Sequence, residues 1–129
     1  MGNHPGRRIL IVEDEAMIAL SMQSVLEALG WVVVDVAMTS ANALALIEGD
    51  RRNFDAVMLD LNLGGEIASD VARALDTRGI PFVITTGYDD AAFLGPFNGR
   101  PIVHKPVLDN ELQQALASLK FAMPDPGAS

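Results

Sequence analysis

Short continuous apolar runs alternate along this chain with segments whose apolar residues recur every three or four positions. The runs cover residues 9–12, 31–37, 54–59, 82–86 and 101–104. Runs of this length, bounded by turn residues, suit strands buried on both faces of a parallel sheet. Asp35 interrupts the second run and places that strand nearer a sheet edge. Between the runs, Ile18, Met22, Val25 and Leu29 share a helical face that stops at Gly30. Thr39 or Ser40 caps a second helix that reaches Ile47. Ala68, Val71, Ala72 and Leu75 line one face of a third helix ending before Gly79. Asp109 caps a last helix that turns Leu108, Leu112, Ala115 and Leu119 to the core. Residues 49–53 read as a turn, as do Leu63, Gly64 and Gly65. Residues 88–100 hold two glycines, a proline and two aspartates, so a helix there is short.

Strand and helix therefore alternate five times. That order predicts a parallel sheet covered on both faces, with right-handed crossovers. A length of 129 residues, half of them hydrophobic, suits one domain around one sheet. No internal repeat, linker or second domain shows in the pattern. Residues 1–7 read as a flexible arm, 8–123 as the domain and 124–129 as a flexible tail. No apolar run approaches the roughly 20 residues of a membrane span, and the first eight residues lack the apolar core of a secretory signal. Cysteine is absent, so disulfides and thiolate metal sites are ruled out and a cytoplasmic location is expected. The net charge is −8, from 9 basic and 17 acidic residues. Nucleic-acid binding needs a basic footprint that this composition does not supply.

The chemistry-bearing residues fall at strand ends. In an open α/β sheet, ligands sit beyond the carboxyl ends of the strands. The first strand ends at Glu13 and Asp14, the third at Asp60, the fourth at Thr86, and Lys105 follows the fifth. Parallel strands put all of these on one rim. Three crowded carboxylates repel one another unless a cation lies among them. An all-oxygen donor set suits Mg2+. A carboxylate nucleophile, a divalent cation, a hydroxyl and an ammonium together can take up a phosphoryl group. Each residue also has a plainer reading. Glu13, Asp14 and Glu15 could be acids favoured at a helix N-terminus. Asp60 could be a cap, Lys105 a solvated lysine and Thr86 an ordinary strand residue. Their joint occurrence at successive strand ends favours a site. His4 and His104 read as incidental, and the methionines as core.

Glu13-Asp14, Asp60, Thr86-Gly87 and Lys105-Pro106, at this spacing, resemble the receiver domain of two-component response regulators from about residue 8 to 123. The resemblance implies a flavodoxin-like, doubly wound α/β fold with a five-stranded parallel sheet of order 2-1-3-4-5. It implies that Asp60 becomes an aspartyl phosphate, taking the phosphoryl group from a sensor histidine kinase or a histidine phosphotransfer protein in a phosphorelay. By the same resemblance, Asp14 and Asp60 ligate Mg2+ with the backbone carbonyl of Asn62, and Glu13 acts at the metal through water. Lys105 pairs with the acceptor carboxylate or the bound phosphoryl, and Thr86 hydrogen-bonds the phosphoryl. The Lys105-Pro106 bond is expected to be cis, aiming the ammonium at Asp60.

Two positions depart from the common pattern. Glu13 stands where Asp is usual, and Ile102 where many receivers carry Tyr or Phe. The run Pro81-Phe82-Val83-Ile84-Thr85-Thr86-Gly87-Tyr88 resembles single-domain receivers with Phe…Thr-Gly-Tyr, which also lack that aromatic. A stand-alone receiver is expected, not an enzyme beyond its own phosphorylation and dephosphorylation. It would signal through a protein partner, with residues 87–99 responding to Thr86. The competing reading is a Mg2+-dependent phosphohydrolase with an aspartyl-phosphate intermediate. That chemistry needs a general acid two residues after the nucleophile, where Asn62 stands. A flavin or nucleotide carrier is disfavoured, because Glu13, Asp14 and Glu15 would repel phosphate. A degenerate receiver used only for docking is disfavoured because all five signature positions are filled.

Overall fold

Five of the apolar runs pair side by side in one parallel sheet. The computed structural model describes residues 6–49, 53–87 and 99–119. These form β1 (Arg8–Val12), α1 (Ala16–Ala28), β2 (Val32–Ala37), α2 (Ser40–Glu48), β3 (Ala56–Asp60), β4 (Asn62–Leu63), β5 (Glu66–Ile67), α3 (Ser69–Thr77), β6 (Phe82–Thr86), β7 (Ile102–His104) and α4 (Asp109–Ala117). Most of the expected arm, the short helix within 88–98 and the expected tail lie outside the described residues.

The sheet runs β2-β1-β3-β6-β7. Every pairing in it is parallel. Counting only these five strands, the order is 2-1-3-4-5, and the fold is flavodoxin-like. The chain leaves β1 for one edge and returns to β3 on its other side. That reversal opens a crevice beyond the carboxyl ends of β1 and β3.

Side chains alternate across the strands, so the sheet has two cores. Leu10, Val12, Val57, Leu59 and Ile84 pack with Ala43 and Ile47 of α2 and Val71 and Leu75 of α3. On the other face, Ile9, Ile11, Met58, Val83 and Val103 pack with Met22 and Leu26 of α1 and Leu112 and Leu116 of α4. Each fully buried Leu, Ile or Met contributes about 1.5–3 kcal/mol. β3 is buried at every position, as a central strand must be. β2 is an edge strand, and Asp35 is exposed there as its charge requires.

The helix ends follow local chemistry. Thr39 caps α2, its hydroxyl accepting the Asn42 N–H at 3.0 Å. α1 stops where Gly30 takes φ +95° and the Trp31 N–H donates back to the Leu26 carbonyl. The last helix corrects the sequence reading. Its N-cap is Leu108, in extended backbone, and Asp109 is the first helical residue. Leu108 precedes the helical phase that buries Leu112 and Leu116, and is 51% exposed instead of core. Asp109 and Glu111 still lie in the first turn, where the helix dipole favours acids.

The turn after Asp60 proves to be a hairpin. β4 and β5 pair antiparallel, Asn62 opposite Ile67 and Leu63 opposite Glu66. Gly64 and Gly65 take φ +60° and +91°, the signs a two-residue type I′ turn requires at both positions. Among the described residues, no helix is long and apolar enough to cross a membrane.

Candidate functional site

The parallel register brings Val12 level with Leu59, so the next residues of β1 and β3 emerge together at the rim. Glu13 stays tied to the sheet because its N–H donates to the Ala37 carbonyl at 3.0 Å. Its side chain is buried, and so is that of Asp60. Asp14, one residue on, is half-buried. Carboxylate oxygens of Glu13, Asp14 and Asp60 lie within 4.8 Å of one another.

Lys105 bridges two of these acids. Its ammonium is 3.0 Å from Glu13 Oε1 and 3.1 Å from Asp60 Oδ2. The Lys105-Pro106 peptide is cis, as the sequence predicts. Backbone donors engage the remaining oxygens. Glu13 Oε2 accepts the Glu15 N–H at 3.1 Å, and Asp60 Oδ1 accepts the Asn62 N–H at 3.2 Å. Asp14 Oδ2 accepts the Gly64 N–H at 3.1 Å. Thr86 is buried at the end of β6, its hydroxyl donating to the Gly87 carbonyl at 3.1 Å.

The electrostatics follow from burial. Loss of solvent pushes the Glu13 carboxyl up to about 7, with the Asp60 charge adding to the rise and Lys105 opposing it. Burial also raises the Asp60 carboxyl, and the Lys105 charge only partly offsets this. For Lys105, burial favours the neutral amine, but the bonds to Glu13 and Asp60 outweigh it and hold its pKa above the usual value. One ammonium therefore faces three carboxylates. A second positive charge would relieve the burial penalty, and the donors present are all oxygens. This donor set can hold a hard divalent cation.

The structure thus brings Glu13, Asp14, Asp60 and Lys105 into one cluster. Asn62 adjoins it through its N–H, and Thr86 lies at the end of the neighbouring strand. His104 is exposed on β7, opposite Thr86 in the register, and His4 lies outside the described residues. Two features escaped the sequence reading. Thr85 is opposite Asp60 in the register and fully buried, and its hydroxyl has no hydrogen-bond partner among the described residues. The Thr85-Thr86 doublet was visible, but nothing in it marked which hydroxyl would be left unpaired. The Gly64 amide carries no side-chain signal at all. Ile102, the departure from the receiver pattern, is half-buried and pairs with Ile84.

A family model described as the response regulator receiver domain matches residues 9–117. The Phyllosphere-induced regulator PhyR of Methylorubrum extorquens is 30% identical over 89 residues, which is 67% of this chain and 33% of that protein. The chain therefore spans about a third of that relative's length. The solution structure of SdrG from Sphingomonas melonis Fr1 is 42% identical, covers 87% of this chain and 94% of its own, and superposes with a TM-score of 0.77. The BeF3-activated conformation of SdrG, also 42% identical, covers 85% of this chain and 92% of its own with a TM-score of 0.73.

Proposed function

We propose, because the chain belongs to the response regulator receiver domain family, that Asp60 accepts a phosphoryl group from a phosphohistidine and that the phosphorylated protein signals by binding another protein. The observation that carries this reading is the buried Asp60 carboxylate paired with Lys105 beside two further acids. A solvated acid would need none of that framework. The BeF3-activated conformation known for SdrG supports it, since beryllofluoride is a tetrahedral mimic of a phosphoryl group.

Glu13, Asp14 and Asp60 would hold Mg2+, with the Asn62 carbonyl as a further oxygen. Bound there, the cation supplies positive charge against the phosphoryl oxygens. An Asp60 oxygen attacks phosphorus as the P–N bond to the donor imidazole breaks. The imidazole leaves with the bonding pair and takes a proton from solvent. Lys105 turns part of its charge from the carboxylates to the transferred group. Thr86 turns its hydroxyl from the Gly87 carbonyl to a phosphoryl oxygen. Ile102 offers no ring to swing in response, so the change passes instead to the segment that begins at Gly87.

The domain is assigned to residues 8–123, and its donor to a sensor histidine kinase or a histidine phosphotransfer protein in the cytoplasm. The phosphohydrolase reading gains nothing from the geometry, because Asn62 carries no acid and its side-chain oxygen accepts the Gly65 N–H at 2.9 Å.

Mass spectrometry after incubation with phosphoramidate tests the proposal. One phosphoryl adduct is expected with Mg2+, and none in excess chelator or in Asp60→Asn. An undiminished adduct in Asp60→Asn would put the acceptor elsewhere.

A further inference from the structure

On the metal-binding reading above, we infer that the Gly64 backbone amide is a positioning group that holds the Asp14 carboxylate in its ligating orientation. Asp14 lies past the end of β1, outside the strand's pairing with β3, and its side chain is only half-buried. Glu13, by contrast, is fixed by burial, by Lys105 and by the Glu15 amide. The bond that restrains Asp14 comes from 50 residues away, where Gly64 donates its N–H to Oδ2 at 3.1 Å.

The donor is itself held in place. Buried Leu61 and Leu63 anchor the approach to the hairpin, and the Ala68 N–H donates to the Leu61 carbonyl at 2.8 Å on the return. Asn62 Oδ1 closes the turn by accepting the Gly65 N–H at 2.9 Å. The Asn62 N–H donates to Asp60 Oδ1 at 3.2 Å. One short hairpin thus restrains both the half-buried acid of the cluster and the proposed acceptor.

Mg2+ demands near-octahedral ligands and tolerates poorly oriented ones badly. A hydrogen bond to one carboxylate oxygen fixes the plane of the group, and losing such outer partners typically weakens metal affinity roughly 10- to 100-fold. The geometry also specifies what position 64 must supply, namely an N–H and a φ of +60°. Proline supplies neither. Asparagine supplies both, and a Cβ added at Gly64 meets nothing within 4 Å.

Calorimetric titration with Mg2+ alone, without a phosphodonor, is the test. Gly64→Asn is expected to match the wild type, and Gly64→Pro to bind at least roughly tenfold more weakly while its far-UV circular dichroism stays unchanged. Hydrogen exchange at the Gly64 amide of the wild type, followed by NMR, gives an answer that needs no variant. The amide is expected to exchange more slowly when Mg2+ saturates the protein. Equal affinity in all three proteins overturns the inference, as does an equal loss in Gly64→Asn and Gly64→Pro, or a Gly64 amide that Mg2+ leaves unchanged or releases. A wild type that takes up no Mg2+ removes the metal-binding reading and this inference together. Normal wild-type binding with an indifferent Gly64 removes the inference alone.

Discussion

At the scale of single residues, burial and charge at Glu13 set a dependence on pH. Its carboxyl is fully buried and pushed up to about 7 from its ordinary value of 4.5. A raised acid in the folded state contributes stability that is present below its unfolded pKa and is lost as pH rises through the folded one. The raised Asp60 acts in the same sense. The metal-free protein is therefore expected to lose stability as pH rises from roughly 4.5 to 7, by on the order of 3 kcal/mol from Glu13. Lys105 does not counter this, because its own raised pKa costs stability only as pH climbs beyond 10.5. Urea denaturation in chelator across that range checks the sign, with Glu13→Gln expected to give a shallower profile whose remaining slope comes from Asp60. A wild type that grows more stable toward pH 8 would contradict it. The sequence could place Glu13 at the strand end, but not its depth. Its buried setting includes the Lys105 ion pair and the bond to the Ala37 carbonyl after β2, and both are tertiary.

At the scale of elements, α2 rests on one cap. The Thr39 hydroxyl accepts the Asn42 N–H, and Thr39→Ala removes the only side-chain acceptor described for that helix end. A loss of about 1 kcal/mol is expected, with Thr39→Ser nearly neutral. The urea midpoint at constant slope measures both, and an unchanged midpoint in Thr39→Ala would mean water replaces the cap at no cost. The cap was legible to within one residue, Thr39 or Ser40, and the structure makes it Thr39 with Ser40 as the first helical residue. At α4 capping chemistry and backbone diverge. Asp109 is the better capping residue by chemistry, yet the backbone begins its helical turn at Asp109 and leaves Leu108 as the cap. The β4–β5 hairpin was legible only as a turn, since two-residue strands are too short to show a period of two. Its glycine pair was the visible sign, and the positive φ at both positions explains why glycine stands there.

At the scale of the whole molecule, strand order assembles the site. Two separate cores hold the sheet from both sides, and the rim joins residues that lie far apart in sequence. The alternation of strands and helices made a parallel sheet covered on both faces readable in advance, and the strand order came with the receiver resemblance. Which side chains would touch at the rim depended on loop paths that carry no periodicity. Lys105 shows this best. It follows β7, at the far edge, yet its ammonium passes β6 to reach the acids after β3 and β1. Adjacent strands lie about 4.8 Å apart, so the side chain spans a distance no local pattern could announce. That span has a consequence in time. On the proposed function, Glu13, Asp14 and Asp60 would take Mg2+ as a second cation beside Lys105, which would then be free to turn part of its charge to a donor. That reading predicts an order, with metal first and phosphodonor second. Labelling rates at crossed concentrations of the two should show that excess donor never replaces missing Mg2+. Full rates at trace Mg2+ under saturating donor would show that no order is enforced. On the proposed function, a receiver of this design would keep its own clock, unable to register a donor until the ion has come.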